Sequence, residues 1–132
     1  MAGSRQALGA RGEQAVASHY LDAGYELLSR NWRCSEGELD LVLVDRSKHL
    51  LVFCEVKTRR TDAFGSPLEA VTYAKRKRLR RLAALWLGSQ PGSAVPSQGF
   101  ASSRRSFDLR FDVAAVRVHA GRLDIEIVES AL

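Results

Sequence analysis

The stretch GELDLVLVDRSKHLLVFCEVKT, Gly37 to Thr58, decides the fold. Two runs rich in leucine and valine flank the polar segment Arg46 to His49. The pattern predicts a β-hairpin with strands from about Glu38 to Val44 and from about Leu50 to Thr58. Glu38, Asp40, Glu55 and Lys57 break the apolar runs only at the ends far from the turn.

If Asp45 faces Leu50 across the turn, stepping outward pairs Val44 with Leu51, Asp40 with Glu55 and Glu38 with Lys57. Side chains directly opposite have Cβ atoms about 4.5 to 5.5 Å apart. Alternation then places Val42, Val44, Leu51 and Phe53 on one face with Asp40, Glu55 and Lys57. Leu39, Leu41, Leu43, Val52, Cys54 and Val56 take the other, wholly apolar face.

Two carboxylates held this close repel each other, and burying either one ionised and unpartnered is costly. A divalent cation resolves the conflict. Mg2+ or Mn2+ held by Asp40 and Glu55, with the Val56 backbone carbonyl completing the shell, would fit the oxygen preference of such ions. Lys57, two residues after Glu55 and on its face, could then orient an attacking water or stabilise charge on a phosphate. The alternative is a salt bridge from Lys57 to Glu38 or Asp40 with no metal, and the pattern alone leaves both open.

Upstream, a helix is expected from about Gln6 to Ala23, ended by Gly24, with Val16, Ala17, Tyr20 and Leu21 facing inward. Glu13 lies on the same stripe, a third acid available to the cation or to a water bound to it. Tyr25 to Arg33 reads as a strand. Downstream, Ser66, Pro67 and Glu69 form a helix-start signature, with Thr72 as a rival start. Leu79, Leu82, Ala83 and Trp86 give that helix its apolar stripe. A flexible surface loop is expected at about 88–106, followed by strands in FDLRFDVAAVRV and RLDIEIV joined through the turn HAG. The order predicts one α/β domain over residues 1–132, built on a mixed sheet.

With 132 residues, 45% hydrophobic and 27% charged, the chain has neither a disordered nor a membrane composition. Its start lacks the apolar stretch of a secretory signal, so the expected compartment is the cytoplasm. Cys34 and Cys54 have no metal-type spacing and read as structural. His19, His49 and His119 form no group.

A net charge of +5 favours a polyanionic partner. The run KRKRLRR, Lys75 to Arg81, puts six basic residues in seven positions with no interleaved acid. A solvated helix face is the ordinary meaning of such a run, but its single sign favours phosphate contacts. Lys75, four residues before Leu79, lies near the inward edge and could reach the acidic cluster. Arg76, Lys77, Arg78, Arg80 and Arg81 would grip a phosphate backbone without reading sequence, and Arg59 would extend the rim.

RGEQAVASHYLDAGYELLSRNWR, GELDLVLVD, LVFCEVKTR, FGSPLEAVTYAKRKRL and RFDVAAV, in this order, together resemble the YraN-like family of bacterial proteins. The resemblance spans about Leu8 to Val118. It implies a restriction-endonuclease-like fold, a mixed β-sheet flanked by helices on both faces, whose signature is an acid followed later by an acid, any residue and lysine. Carried onto this chain, these are Asp40 and then Glu55, Val56 and Lys57. Glu13 matches a helix glutamate of the archaeal Holliday-junction resolvases, to which the family is similar. Gln14 beside it has no assigned role.

The implied activity is metal-dependent hydrolysis of DNA phosphodiesters without a nucleotide cofactor, with branched DNA a candidate substrate. A homodimer would suit symmetric cutting of two strands. The alternatives are a nucleic-acid-binding adaptor of the same fold with weak or no catalysis, and a structural partner of an acidic protein.

Overall fold

The computed structural model describes residues 2–60, 72–90 and 107–130. Helix α1 (Ala2–Asp22) is followed by strands β1 (Glu26–Cys34), β2 (Gly37–Asp45) and β3 (Leu50–Arg59). Helix α2 (Tyr73–Ser89) and strands β4 (Asp108–His119) and β5 (Arg122–Val128) complete the order. The five strands form one sheet in sequential order. Only the β3 and β4 neighbours run parallel. The mixed sheet is thus as expected, with α2 filling the crossover that a parallel pair requires.

The two faces of the sheet carry separate cores. Val16, Ala17 and Tyr20 of α1 pack with Leu41, Leu43, Val52, Cys54, Ala114 and Val116. Leu79, Leu82, Ala83 and Trp86 of α2 pack on Val42, Val44, Leu51, Phe53 and Phe111. Helices therefore cover both faces. No helix among the described residues is long and apolar enough to cross a membrane.

Local signals set the ends of these elements. Gly24, at φ 97°, turns the chain out of α1, and its N–H and that of Tyr25 satisfy the carbonyls of Leu21 and Tyr20. Thr72, the rival start, caps α2 by accepting from the Lys75 N–H at 3.1 Å. The Ser66 signature and residues 91–106 of the expected loop lie outside the described residues.

Leu21 is a correction: it is 47% exposed rather than inward-facing. It stands about 100° round the helix from Tyr20, outside the stripe centred on Val16 and Tyr20.

One buried polar network ties α1 to β4. Asp112, fully buried, accepts from Tyr20 Oη at 2.7 Å and from Arg110 Nε and Nη2 at 2.9 Å each. The Ser130 N–H adds a bond of 3.2 Å, and Arg110 Nη2 also donates to Tyr25 Oη at 3.2 Å. Burial pushes the Tyr20 phenol well up, helped by Cys54 and Asp112, so it stays a hydrogen-bond donor. The Cys54 thiol is likewise pushed up by burial, and both cysteines are free.

Candidate active site

The site is built where the β2–β3 hairpin opens. At its closed end Asp45 Oδ1 accepts from the Ser47 hydroxyl at 2.7 Å, the Ser47 N–H at 3.1 Å and the Lys48 N–H at 3.3 Å. The Ser47 hydroxyl, foremost among these, holds the Asp45 carboxyl below its ordinary range. This Asx-type turn fixes the register. The ladder pairs Asp45 with Leu50, Val44 with Leu51 and so on to Leu41 with Cys54, as the turn predicts.

Beyond Leu41 the two strands part. Instead of a ladder step, the Asp40 carboxylate enters the gap, and Oδ2 accepts from the Val56 N–H at 2.8 Å. The N–H and C=O of one strand residue point toward the same neighbour, so the Val56 carbonyl opens on this gap as well.

The facial assignment needs correcting at the same place. Leu39 packs with Val42 and Val44 against α2, whereas Leu41 packs against α1. The pleat therefore reverses at Asp40, which leaves the Val42 face and stands in the gap. β1 does the same without a change of register: Arg30 reaches α1, while Trp32 packs in the α2 core. Between them Asn31 adopts φ 53°, a left-handed conformation that asparagine tolerates better than most residues. Counting alternate residues outward from the turn assumes an unbroken period of two, which this step violates. The pairing of Glu38 with Lys57 is also absent, since Glu38 instead meets Arg33 Nε at 3.0 Å.

Glu55 and Lys57 keep their predicted face, toward α2. Lys57 Nζ lies 3.7 Å from Glu55 Oε1, and Lys75 Nζ of α2 lies closer, at 3.0 Å from the same oxygen. Among the described residues Glu55 Oε2 is buried with no hydrogen-bond partner. Burial, together with the neighbouring Lys75, pushes Lys57 below the ordinary lysine value. Asp40 is pushed up to about 6. Burial is the main cause, opposed by the Val56 N–H and reinforced by the charges of Glu13, Glu55 and Glu38.

Glu13 approaches from α1, across the sheet from Glu55. Gly12 makes this possible, since a Cβ there would fall 2.0 Å from Thr58 Oγ1, so only glycine lets the helix backbone lie against β3. Glu13 Oε1 faces Arg30 Nε at 3.9 Å. The Arg30 guanidinium is braced by Gln14 Oε1 at 2.7 Å and the Ala10 carbonyl at 3.1 Å. Gln14 thereby acquires a role. Arg30 carries no sequence signal of its own, because the bulge between Leu27 and Ser29 is what turns it toward α1.

A cleft of about 270 Å³ opens beside the gap, lined by Leu39, Asp40, Phe53, Glu55, Arg78 and Leu79. The basic run is divided by α2. Lys75 belongs to the acidic cluster, Arg78 lines the cleft, and Arg76 and Lys77 are exposed on the outer surface. Arg80 stacks its guanidinium 5.2 Å from the centre of the Phe111 ring, and Arg81 pairs with Glu36. Arg59 is exposed at the end of β3.

Among the described residues no group of three or more His, Cys, Asp or Glu could by itself hold a metal ion. The donors that are present fit a harder and more hydrated ion. They are two carboxylates, one with a buried oxygen lacking a partner, and a carbonyl opening on the same gap. Mg2+ is commonly held by one or two carboxylates plus water.

Residues 12–116 match the family model described as "Uncharacterised protein family UPF0102". A UPF0102 protein of Nocardia farcinica is 49% identical over 119 residues, covering 90% of this chain and 83% of that protein. A UPF0102 protein of Clavibacter michiganensis is 44% identical, covering 96% of each chain. One of Frankia casuarinae is 46% identical over 97% of this chain and 98% of its own length.

Proposed function

The chain belongs to the UPF0102 family, and from that premise and the geometry of its site we propose that it is a metal-dependent endodeoxyribonuclease with a restriction-endonuclease-like fold. What supports this most is Glu55 Oε2, a buried carboxylate oxygen without a partner, beside a second carboxylate, Asp40, that burial has pushed up to about 6. A sheet shaped for stability alone gains nothing from this pair.

Asp40 and Glu55, with the Val56 carbonyl, would hold Mg2+ or Mn2+, and Glu13 would contact a water at the edge of the shell. When bound, such a cation supplies Lewis acidity at the scissile phosphate. Lys57, as an ammonium beside Glu55, can orient the attacking water and stabilise charge on the phosphate as the new O–P bond forms, the water's proton passing to solvent. The bond to the leaving sugar oxygen breaks, and that oxygen takes a proton from solvent. Arg76, Lys77, Arg78, Arg80, Arg81 and Arg59 would hold the DNA backbone. Branched DNA stands beside duplex as a candidate substrate.

A second function, nucleic-acid binding without catalysis, has one observation in its favour: Lys57 and Lys75 already balance the charge of Glu55. Labelled duplex, single-stranded and four-way-junction DNA, incubated with Mg2+, Mn2+ or chelator, separates the two. Cutting that the chelator abolishes supports the enzyme. Binding without cutting on all three substrates supports the adaptor.

A further inference from the structure

We propose that Lys75 is a resident competitor of the divalent cation at Glu55, holding the carboxylate until a DNA phosphate draws its ammonium away, so that metal and substrate load together. This rests on the metal site proposed above.

Lys75 makes the shortest ion pair in the cluster, 3.0 Å to Glu55 Oε1 against 3.7 Å for Lys57. Its side chain is 16% exposed and that of Glu55 15% exposed, so water screens the pair little. Both ammoniums crowd one oxygen and leave Oε2 bare.

Charge gives the direction of the effect. Asp40 and Glu55, when ionised, balance Lys57 and Lys75, so the cluster is neutral without a metal. A divalent cation added to all four groups leaves two uncompensated positive charges in a half-buried space. The conflict is relieved if one lysine leaves or if a phosphate arrives.

Position decides which lysine can leave. Lys57 is a mid-strand residue of β3, paired in register with Ala115 of β4. Lys75 is the third residue of α2, its backbone pinned by the Thr72 cap, and exposed Arg76 and Lys77 follow directly. A flexible lysine stem can therefore swing from Glu55 to a phosphate on the outer surface without moving the helix. By linkage, a metal that displaces Lys75 must tighten DNA binding, and DNA must tighten metal binding.

The test is Mn2+ affinity of the full chain without DNA, read from the electron paramagnetic resonance signal of free Mn2+. Lys75→Met should bind Mn2+ at least tenfold more tightly than wild type. Lys75→Arg, which keeps the charge, should stay within about threefold, as should Lys48→Met, which removes a distant surface charge. With a labelled duplex and Ca2+ in place of Mn2+, the metal should increase DNA affinity several-fold more in wild type than in Lys75→Met. Unchanged or weaker Mn2+ binding by Lys75→Met, an equal gain in Lys48→Met, or equal Ca2+ effects on DNA affinity would overturn the competitor role. Mn2+ binding that survives both Asp40→Asn and Glu55→Gln at wild-type strength would overturn the metal site itself, and the competitor role with it.

Discussion

The backbone N–H of Val56 donates to the Asp40 carboxylate at 2.8 Å, across the point where β2 and β3 separate. A side chain here takes the place of a ladder partner. That one bond keeps the acid in the gap and brings it beside Glu55 and Lys57 on the neighbouring strand.

Asp40 should make stability depend on pH. Its folded value of about 6 lies above the ordinary 3.8, so between these values the folded state binds more protons than the unfolded state. Stability therefore falls as pH rises through this window, and the cost, about 3 kcal/mol at most, is fully present above pH 6. Asn at position 40 keeps an acceptor for the Val56 N–H without the charge. Urea denaturation should show Asp40→Asn more stable than wild type at pH 8 by about 1–3 kcal/mol, with the difference vanishing near pH 4. An advantage of the same size at both pH values would exclude the titration of Asp40 as its source.

Gly12→Ala should destabilise. In an ordinary helix interior the change stabilises by about 0.5–1 kcal/mol, but here the new methyl meets Thr58 Oγ1 at 2.0 Å, and that hydroxyl is buried. A net loss of about 1–3 kcal/mol is expected. Thr58→Ala should recover part of it in a double-mutant cycle. Additive effects would mean that the two residues do not touch.

Asp112→Ala should cost about 3–5 kcal/mol, because it leaves Arg110 and Tyr20 without their shared buried acceptor. Thermal unfolding measures the loss. Since Tyr20 carries α1, the variant should also loosen Glu13, which proteolysis within α1 would report.

The parts of the fold legible in the sequence were those governed by local chemistry. The turn at Arg46 to His49 sets the register through Leu41 and Cys54, Gly24 ends α1, and Thr72, one of two capping residues in the sequence, starts α2. The arrangement around Asp40 was hidden because the pleat reverses there through the paired backbones of two strands, and neither strand shows it alone. Asn31 was the one available sign, as a residue suited to a left-handed position. Lys75 was placed near the site by its spacing from Leu79, but its ion pair with Glu55 depends on how α2 docks on the sheet. The Arg110–Asp112 pair was invisible as a network, since its members come from α1, the residue before β1 and β4.

The central claim, that Asp40, Glu55 and Lys57 form a metal-dependent nuclease centre, is tested most directly by single-turnover cleavage of a labelled four-way junction and duplex in Mg2+ or Mn2+. Wild type should cut, and chelation of the metal should abolish the cutting. Asp40→Asn and Glu55→Gln should each lose about 10³-fold or more, and Lys57→Met about 10²-fold or more, while all three variants still bind DNA. DNA bound by wild type but left intact in both metals, or cut equally by all four proteins, would contradict the claim.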